Sequence, residues 1–495
     1  MISKIKTLLF CICIVASNTT KAQNITYTEA LEHKGDIALN TTIGHFQDKL
    51  LFYRDNVKEH TLEFYDNQLK HTATVILDFL SKDALYTKFI PLDTTILTLF
   101  EEVNGTKHTL YAAILDPTGR LKGNIKTLGQ SREHFLGNNK SQFFGSSISK
   151  DKQHIFIYEI NNKSKAIDGI GFWLYAKDLS TSKKIKFNYQ SGTLLEYSTP
   201  LISNSGVAYI PLYASNESSS KGNDYALISI DQVSNKANTH KLISKQDVFL
   251  EKPISKINLT EDKITVATLY SNKRKGNAIG IATFHWSMAD QNFSSLDTYT
   301  FEEDMTKGIK KRKKDKAFNN YELGNIIFYP NGAFQVVAEE TYVSRVRMAS
   351  GFVAGGAWGM GFPIGGMTPY DMYYQNNFHY NDILIFNYGE HLKCNGYRFI
   401  EKEQNTLNDN GNYSSYCSIA TDTSLRILYN NFMRNTPPLN MVIISLDGAI
   451  QSTAFASPNI LNEGCLPKVA KQIAPNELIL PVVSRNKVRF VRFQF

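Results

Sequence analysis

Short runs of alternating apolar and polar residues, separated by polar turns, recur along most of the chain. Alternation with a period of two predicts strands with one buried face, and helical periodicity is nearly absent. The turns before the runs contain Asp, Asn or Ser, which close tight turns through local side-chain hydrogen bonds. The eight runs are KLLFYRD (from Lys49), TILTLFEE (Thr95), QHIFIYEIN (Gln153), GVAYIPLYASN (Gly206), KITVATLYSN (Lys263), AFQVVAEETY (Ala333), LRILYNNF (Leu425) and ELILPVVS (Glu477).

Most of these runs end on an aromatic residue, and successive turns lie 45 to 91 residues apart. A repeat of about 40–50 residues with four strands per copy is typical of a β-propeller, and longer intervals fit elongated hairpins. We therefore predict an all-β fold, a single closed β-propeller of eight four-stranded blades, or seven if the first copy is a decorated edge. A tandem of β-sandwiches stays open, because strand patterns do not fix closure. The aromatic residues are Tyr53, Phe100, Tyr158, Tyr213, Tyr270, Tyr342 and Tyr429.

The two ends of the chain complement each other. The last unit has room for three strands, near Val469, Glu477 and Lys487, before the chain stops at Phe495. The alternating segment NITYTEA, from Asn24, has no hairpin partner of its own. We predict that the segment near Ile25 pairs with the strand near Val488 and so removes an open sheet edge.

The first residues, MISKIKTLLFCICIVASNTTKAQ, have the pattern of a secretory signal peptide. Two lysines precede a short apolar core, and Thr20 and Ala22 are small residues suited to a peptidase site before Gln23. The apolar core is shorter than the roughly 20 residues that a membrane-spanning helix needs. We expect residues 1–22 to be cleaved, residues 23–495 to form one domain without a transmembrane span, and the protein to be exported to the periplasm, cell surface or medium.

Positive charge is concentrated in one segment. The whole chain carries a net charge of +8, and the first 23 residues contain three lysines and no acid. The run KGIKKRKKDK holds seven basic residues and one aspartate, so the rest of the mature chain is close to neutral. We place this run in a basic link, residues 304–318, between blades five and six. Its basic residues are Lys307, Lys310, Lys311, Arg312, Lys313, Lys314 and Lys316.

The segment GFVAGGAWGMGFPIGGM, from Gly351, is rich in glycine and uncharged. It lies between the predicted second and third strands of blade six, as part of an insertion at residues 345–380. A mobile loop is one interpretation; the other is a protruding arm whose aromatic residues contact a partner. The aromatic residues singled out are Phe352, Trp358, Phe362, Tyr370, Tyr373 and Tyr374.

Catalytic, metal and cofactor motifs are absent from the sequence. No HExxH, GxSxG, GxxxxGK[ST] or GxGxxG pattern occurs, and NDNG at Asn408 is predicted to be a turn. Acids at strand ends, among them Glu101 and Glu339, do not by themselves define a glycosidase pair. Cys394, Cys417 and Cys465 have no paired spacing, so we expect no disulfide.

The exported N-terminus followed by degenerate tyrosine-ended strand repeats resembles uncharacterised secreted β-propeller-like proteins of Gram-negative environmental bacteria. This resemblance implies a propeller fold and carries over no activity and no catalytic residue.

Two functions stay open at this point. One is a non-enzymatic binding or envelope-assembly protein that uses one rim; the other is a glycoside hydrolase or polysaccharide lyase with a site at the central channel. In a four-stranded blade, the second hairpin and the link to the next blade emerge on one side. We therefore predict that the glycine-rich segment and the basic run share a rim. An anionic envelope surface, a polysaccharide or another exported protein is the expected partner, and nucleic acid is not expected.

Overall fold

The computed structural model describes most of the strand-forming chain. The described residues are 24–32, 41–56, 59–82, 84–132, 143–159, 171–180, 182–186, 195–214, 225–231, 237–242, 248–273, 276–302, 318, 320–347, 374–389, 392–431, 439–446, 448–455, 464–484 and 487–495. The predicted signal peptide lies outside them. Within them there is no α-helix, and no helix long and apolar enough to cross a membrane.

The described strands are short and follow one another in chain order. They are β1 Asn24–Tyr27, β2 Leu31–Glu32, β3 Thr41–Phe46, β4 Lys49–Asn56, β5 Glu59–Tyr65, β6 His71–Ile76, β7 Tyr86–Pro91, β8 Ile96–Asn104, β9 Lys107–Leu115, β10 Lys126–Arg132, β11 Phe144–Ile148, β12 His154–Glu159, β13 Gly171–Ala176, β14 Ser182–Lys186, β15 Leu195–Tyr197, β16 Leu201–Ile202, β17 Ala208–Ala214, β18 Tyr225–Ile230, β19 Ala237–Leu242, β20 Phe249–Leu250, β21 Ile254–Asn258, β22 Lys263–Ser271, β23 Gly280–Ser287, β24 Asn292–Phe293, β25 Asp297–Thr300, β26 Tyr321–Phe328, β27 Phe334–Arg347, β28 Tyr374–Tyr388, β29 Cys394–Leu407, β30 Tyr416–Ala420, β31 Ser424–Asn430, β32 Leu439–Ser445, β33 Ile450–Phe455, β34 Gly464–Cys465, β35 Lys471–Ala474, β36 Glu477–Ser484 and β37 Lys487–Gln494.

The strands of the described chain form eight separate antiparallel sheets of four to six strands. We number the sheets in chain order: sheet 1 (β3–β6), sheet 2 (β7–β10), sheet 3 (β11–β14), sheet 4 (β15–β19), sheet 5 (β20–β25), sheet 6 (β26–β29), sheet 7 (β30–β33) and sheet 8 (β34–β37 with β1 and β2). Sheets 1, 2, 3, 6 and 7 are simple meanders, in which each strand pairs with the next one along the chain. Sheets 4, 5 and 8 follow the same order with some strands divided into two pieces, and β1 and β2 join sheet 8 from the other end of the chain.

Sheets 4, 5 and 8 have more than four strands because their first strands are interrupted, and in sheets 5 and 8 the outer strand is also in two pieces, β24 with β25 and β1 with β2. The breaks in the first strands lie at Pro200, Pro253 and Pro467, and the last begins a 3-10 turn, Pro467–Val469. Proline has no backbone N–H to donate to a neighbouring strand, so it ends pairing locally. The two pieces on either side still pair with the same second strand.

The turns predicted from Asp and Asn residues lie between the first and second strands of the sheets. In sheet 3, the Asp151 carboxylate accepts hydrogen bonds from the Gln153 backbone N–H and the Ser149 hydroxyl. In sheet 6, Asn331 accepts the N–H of Ala333 through its side chain. These local bonds replace backbone pairing where the chain reverses direction, as Asp and Asn do in tight turns.

The N-terminal strand completes the last sheet. Ile25 of β1 lies opposite Phe493, and Leu31 of β2 lies opposite Val488. The predicted pairing of the N-terminal segment with the C-terminal strand is thus confirmed. Sheet 8 is built from residues more than 400 positions apart in the sequence, so both ends of the described chain must be in place before it is complete.

Apolar side chains join each sheet to its successor. Buried clusters contain residues of sheets 1 and 2, 2 and 3, 3 and 4, 4 and 5, 5 and 6, 6 and 7, and 7 and 8. A further cluster joins sheet 8 back to sheet 1, where the rings of Phe52 and Phe490 stack with centroids 4.0 Å apart. The core therefore lies between the sheets, and the contacts run in a cycle.

Several boundaries differ from the sequence prediction. Strands β27 and β28 continue to Arg347 and from Tyr374, so the insertion proposed at residues 345–380 is shorter and its middle lies outside the described residues. Tyr342 is exposed on this extension, whereas the other strand-end aromatics are buried. Cys465 lies in β34, and it is buried and free, like Cys394 and Cys417.

The contact between sheets 8 and 1 can be tested by truncating one ring. We expect Phe490→Ala to lower the free energy of unfolding by roughly 3–5 kcal/mol, because it leaves a cavity in the core. Amide hydrogen exchange should accelerate in β4 as well as in β37, since Phe490 packs on Phe52. Ile76→Ala, at a side chain that is 59% exposed, is the control and should change stability by less than about 0.5 kcal/mol. Unchanged amide hydrogen exchange in β4 would show that Phe490 of sheet 8 does not stabilise sheet 1.

Candidate functional site

A polar cavity of about 580 Å³ lies where sheets 6, 7 and 8 meet. Its wall comes from the first strands of sheets 6 and 7, from β27 and β28 of sheet 6, and from the 3-10 turn of sheet 8. This volume is in the range of small-molecule sites. The lining residues are Glu322, Leu323, Gly324, Asn325, Glu339, Thr341, Tyr380, Ser415, Tyr416, Cys417, Ser418, Pro467, Lys468 and Ala470.

The first strand of sheet 6 is irregular beside the cavity. Its pairing with β27 shifts register between Leu323 and Asn325, which leaves Gly324 as the extra residue. A Cβ atom at Gly324 would lie 2.7 Å from the Tyr416 hydroxyl, closer than such contacts allow. Glycine therefore permits the first strands of sheets 6 and 7 to approach each other here.

A buried ion pair forms the floor of the cavity. The Lys402 ammonium lies 2.7 Å from a carboxylate oxygen of Glu339, with side chains only 2% and 9% exposed. Lys402 also donates to the Tyr380 carbonyl and to the Gln404 side chain, each at 2.9 Å. Burial raises the pKa of Glu339 and lowers the pKa of Lys402, and each charge opposes that effect on the other.

Ser415 completes this group from the chain that leads into sheet 7. Its hydroxyl donates to the other oxygen of Glu339 at 2.5 Å. Ser415 has a φ of 68°, in the left-handed region that residues other than glycine seldom occupy. The turn before it contains Asp409, whose carboxylate accepts the Gly411 N–H and the Thr406 hydroxyl. The NDNG sequence is thus a turn, as predicted. It precedes Ser415 and positions the serine hydroxyl for its hydrogen bond to Glu339.

The mouth of the cavity is cationic and aromatic. The Lys468 ammonium donates to the Tyr380 hydroxyl at 2.9 Å and to the Asn410 carbonyl at 3.0 Å. The same ammonium lies 5.1 Å from the centre of the Tyr380 ring, within the range of a cation–π contact. Lys468 is exposed and Tyr380 half-buried, so both are accessible to a ligand.

Two carboxylates lie side by side in the cavity wall. Glu322 of β26 is directly opposite Glu339 of β27 in the strand pairing. Cross-strand partners have Cβ atoms about 4.5–5.5 Å apart. Glu322 is exposed and Glu339 is buried, so their environments differ although they are neighbours.

Glu339 also has structural counterparts in other sheets. Near the end of the second strand of sheet 2, Glu101 accepts the backbone N–H groups of Phe143 and Phe144, where sheet 3 begins. At the end of the second strand of sheet 7, the Asn430 amide donates to the Cys465 carbonyl of sheet 8. A buried polar group at this position thus ties one sheet to the start of the next. In sheet 6 the same position also opens onto a cavity.

The described strands next to the segments singled out in the sequence belong to sheet 6 and end near the cavity. Tyr321 at the start of β26 is paired with Glu340, and the Thr341 N–H donates to the Asn320 carbonyl at 2.8 Å. The chain therefore enters sheet 6 at the end from which β27 and β28 extend toward residues 348–373. All the basic residues singled out lie outside the described residues, as do Phe352, Trp358, Phe362, Tyr370 and Tyr373. Tyr374 opens β28, paired with Arg347.

Sequence reasoning missed the core of this site. Lys402 and Gln404 occupy buried positions in phase with Ile400 along β29. The alternating sequence FIEKEQ, from Phe399, could have indicated a buried ion pair, because a lysine on the buried face of a strand needs a partner. Ser415 and Lys468 gave no such signal, since both lie outside strands. Among the described residues, no group of three His, Cys, Asp or Glu side chains lies close enough together to hold a metal ion.

Comparisons with known proteins show likeness in overall fold alone. No protein-family model matches the chain, and no curated protein matches it. The WD40 domain of SCAP from fission yeast is similar over 96% of this chain and 98% of that one, with 10% identity and a TM-score of 0.45. A prolyl endopeptidase structure is similar over 90% of this chain at 8% identity and a TM-score of 0.43. Prolyl oligopeptidase B from Galerina marginata is similar over 92% at 9% identity and a TM-score of 0.42. The chain spans about half the length of these two peptidases.

The ion pair beneath the cavity predicts a non-additive mutant cycle. We expect Lys402→Met to destabilise the protein by roughly 3–5 kcal/mol, because it leaves the Glu339 carboxylate buried without a cation. Adding Glu339→Gln should recover much of that loss, since the amide can still accept from Ser415. The deficit of the single variant should shrink toward acid pH, because protonation removes the buried charge. Denaturant unfolding measures both effects, and additive losses would show that the two side chains do not depend on each other.

Proposed function

We propose that the chain is a closed eight-bladed β-propeller that serves as a non-enzymatic binding protein. The eight sheets are the blades, and the first strand of each lines the axis. The cyclic order of the apolar clusters supports closure, because the contact of sheet 8 with sheet 1 has the same character as the seven others. In this proposal the sheets form a rigid frame for groups carried at one rim.

The ligand-binding surface in this proposal is the rim of sheets 6 to 8. The observation that carries it is the position of the cavity beside Thr341 and Tyr380, where the chain extends toward the glycine-rich segment. The basic run also enters sheet 6 at this end. In this proposal the glycine-rich segment and the basic run lie near the cavity, because the described strands β26, β27 and β28 lead toward them at this end of sheet 6.

An acidic polysaccharide is the ligand class that this surface fits best. The Tyr380 ring gives a sugar a flat apolar face, and Lys468 gives a carboxylate or sulfate a cation at the cavity mouth. The hydroxyl of Ser418 and the side chain of Asn325 add polar groups to the wall. The basic run would attract further acidic residues of the same chain by longer-range electrostatics. With an exported N-terminus, the site of action would be the cell envelope or its surroundings.

The cavity is tested with one cation removed. We expect Lys468→Met to weaken retention on an acidic polysaccharide in affinity electrophoresis by about tenfold, because a charge-assisted contact contributes roughly 1.5–3 kcal/mol. Lys70→Met, at an exposed lysine of sheet 1, removes the same charge far from the cavity along the chain and should bind as the parent does. Equal behaviour of the two variants would exclude the cavity as the binding site.

The basic run is tested by neutralisation. Replacing Lys310, Lys311, Arg312, Lys313 and Lys314 by Ser should weaken binding to an acidic polysaccharide and reduce its dependence on salt, because fewer charges are screened. Binding of the parent protein should itself fall as salt rises. Binding that does not depend on salt and survives the replacement would exclude a role for the basic run. The Lys468→Met experiment tests the cavity independently of this result.

A polysaccharide hydrolase is the second candidate, and the neighbouring Glu322 and Glu339 favour it. Burial raises the pKa of Glu339, the Lys402 ammonium and the Ser415 hydroxyl act against that rise, and Glu322 is the exposed partner carboxylate. The counterparts of Glu339 in sheets 2 and 7 favour the structural alternative. If the enzyme hypothesis is right, the parent protein releases reducing ends from an acidic polysaccharide and Glu322→Gln abolishes the release while binding persists. Intact polysaccharide after prolonged incubation would reject it.

A further inference from the structure

Three strands of sheet 6 are much longer than the other strands of the fold. Strands β27, β28 and β29 contain 14, 15 and 14 residues, whereas no other described strand exceeds nine. Strand β26 pairs with β27 only between Phe334 and Glu340, and the rest of β27 pairs with β28. Residues 342–347 therefore form a strand edge that has no partner among the described residues. We call this segment the open edge.

Hydrogen bonds on both sides of β27 and β28 show which backbone groups point to the open edge. The Thr341 N–H donates at 2.8 Å to the residue before β26, so its backbone points to the β26 side. Asn376, which lies opposite Arg345, accepts the Asn408 N–H at 2.9 Å on the side away from β27. Because backbone direction alternates along an antiparallel strand, both observations lead to the same assignment. The N–H and C=O groups of Val343 and Arg345 point to the open edge.

The open edge presents an apolar side chain on each face of the sheet. The Tyr342 ring stacks on the His379 ring with centroids 4.3 Å apart, and the Ser344 hydroxyl lies 2.9 Å from Nε2 of the same histidine. Since side chains alternate between faces, Val343 and Arg345 lie on the opposite face. Tyr342 is 36% and Val343 is 56% exposed. A strand laid along this edge would therefore bury apolar surface on both faces.

The open edge and the strand paired with it carry positive charge without an acid. Residues 341–347 contain Arg345 and Arg347, and neither they nor residues 374–380 of β28 include an aspartate or a glutamate. Arg345 is exposed. A second copy of the same edge is a poor partner, because pairing would bring the arginines of both copies together. An acidic segment has the complementary charge.

We infer that the open edge is a docking site for an extended acidic segment of another polypeptide, which adds to sheet 6 as a strand in line with β26. Its backbone pairs with the N–H and C=O groups of Val343 and Arg345, and one of its acids lies beside Arg345. Its apolar side chains cover Tyr342 and Val343. Strand addition of this kind takes affinity from the backbone and specificity from alternate side chains. The site does not depend on polysaccharide binding at the Lys468 cavity.

The test uses the full chain and the capped, fluorescently labelled peptide Glu-Val-Glu-Thr-Val-Val, which has about the length of a usual strand. We expect the peptide to bind in fluorescence anisotropy, and Arg345→Glu to weaken binding by about tenfold because it places like charges together. The same variant should gain affinity for the peptide that has lysine in place of both glutamates. Arg120→Glu, at an exposed arginine of sheet 2, is the control with the same change of net charge and should bind as the parent does.

The backbone contact is tested at Val343. Val343→Pro removes the N–H that points to the open edge, and proline is tolerated at strand edges. We expect this variant to lose peptide binding, whereas Val343→Thr keeps the N–H and a similar shape and should bind within about threefold of the parent. Should Val343→Pro fail to fold, the exchange of peptide preference in Arg345→Glu answers the same question. Lys468→Met should leave peptide binding unchanged, which separates this site from the cavity.

Amide hydrogen exchange locates the peptide and shows whether the edge is free. The amides of Val343 and Arg345 should exchange rapidly in the free protein and slowly with the peptide bound. Slow exchange in the free protein would show that the edge is already covered and would overturn the inference. Equal losses in Arg345→Glu and Arg120→Glu would also overturn it, since they would reflect net charge alone. Loss of polysaccharide retention in Arg345→Glu, with no peptide binding by the parent, would assign the arginine to the polymer instead.

Discussion

The fold depends on apolar contact between sheets that cannot be stable alone. A single antiparallel sheet of four short strands leaves an apolar face in water, so each sheet here is covered by the next. The arrangement is complete only when the last sheet also finds a partner, which the stacking of Phe490 on Phe52 provides. The N-terminal strand then covers the outer edge of β37. Cyclic packing therefore requires the two ends of the chain to meet.

Cyclic packing creates joints, which are the places where one sheet packs against the next. The joints determine where polar groups are buried. At each joint the chain leaves one sheet and begins the next, and its backbone needs partners away from water. Glu101 and Asn430 supply them with one side chain each. In sheet 6, Glu339 binds a serine hydroxyl instead of backbone and takes Lys402 as its counter-ion. The register shift at Gly324 opens space beside that pair. The cavity is thus a modified joint.

The sequence predicted the features that repeat and missed those that occur once. Alternating strands, Asp and Asn turns and the pairing of Ile25 at the C-terminal strand follow from local pattern and chain length, and the structure has them. The Lys402–Glu339–Ser415 group joins Glu339 to two residues more than 60 positions further along the chain, so no local pattern could bring it together.

The lysine beside the cavity and the lysines of the first strands differ in how their charges are balanced. Outside the first 23 residues and the basic run the chain is close to neutral, so local excesses of positive charge must be balanced by acids elsewhere. Lys402 has its acid at 2.7 Å, whereas the first-strand lysines have none among the described residues. Lys402 is buried and therefore needs its acid, whereas Lys88 and Lys256 are half-buried and Lys471 is exposed, so water can still solvate their ammonium groups. The paired lysine thus belongs to the joint beside the cavity, where its charge is matched away from water.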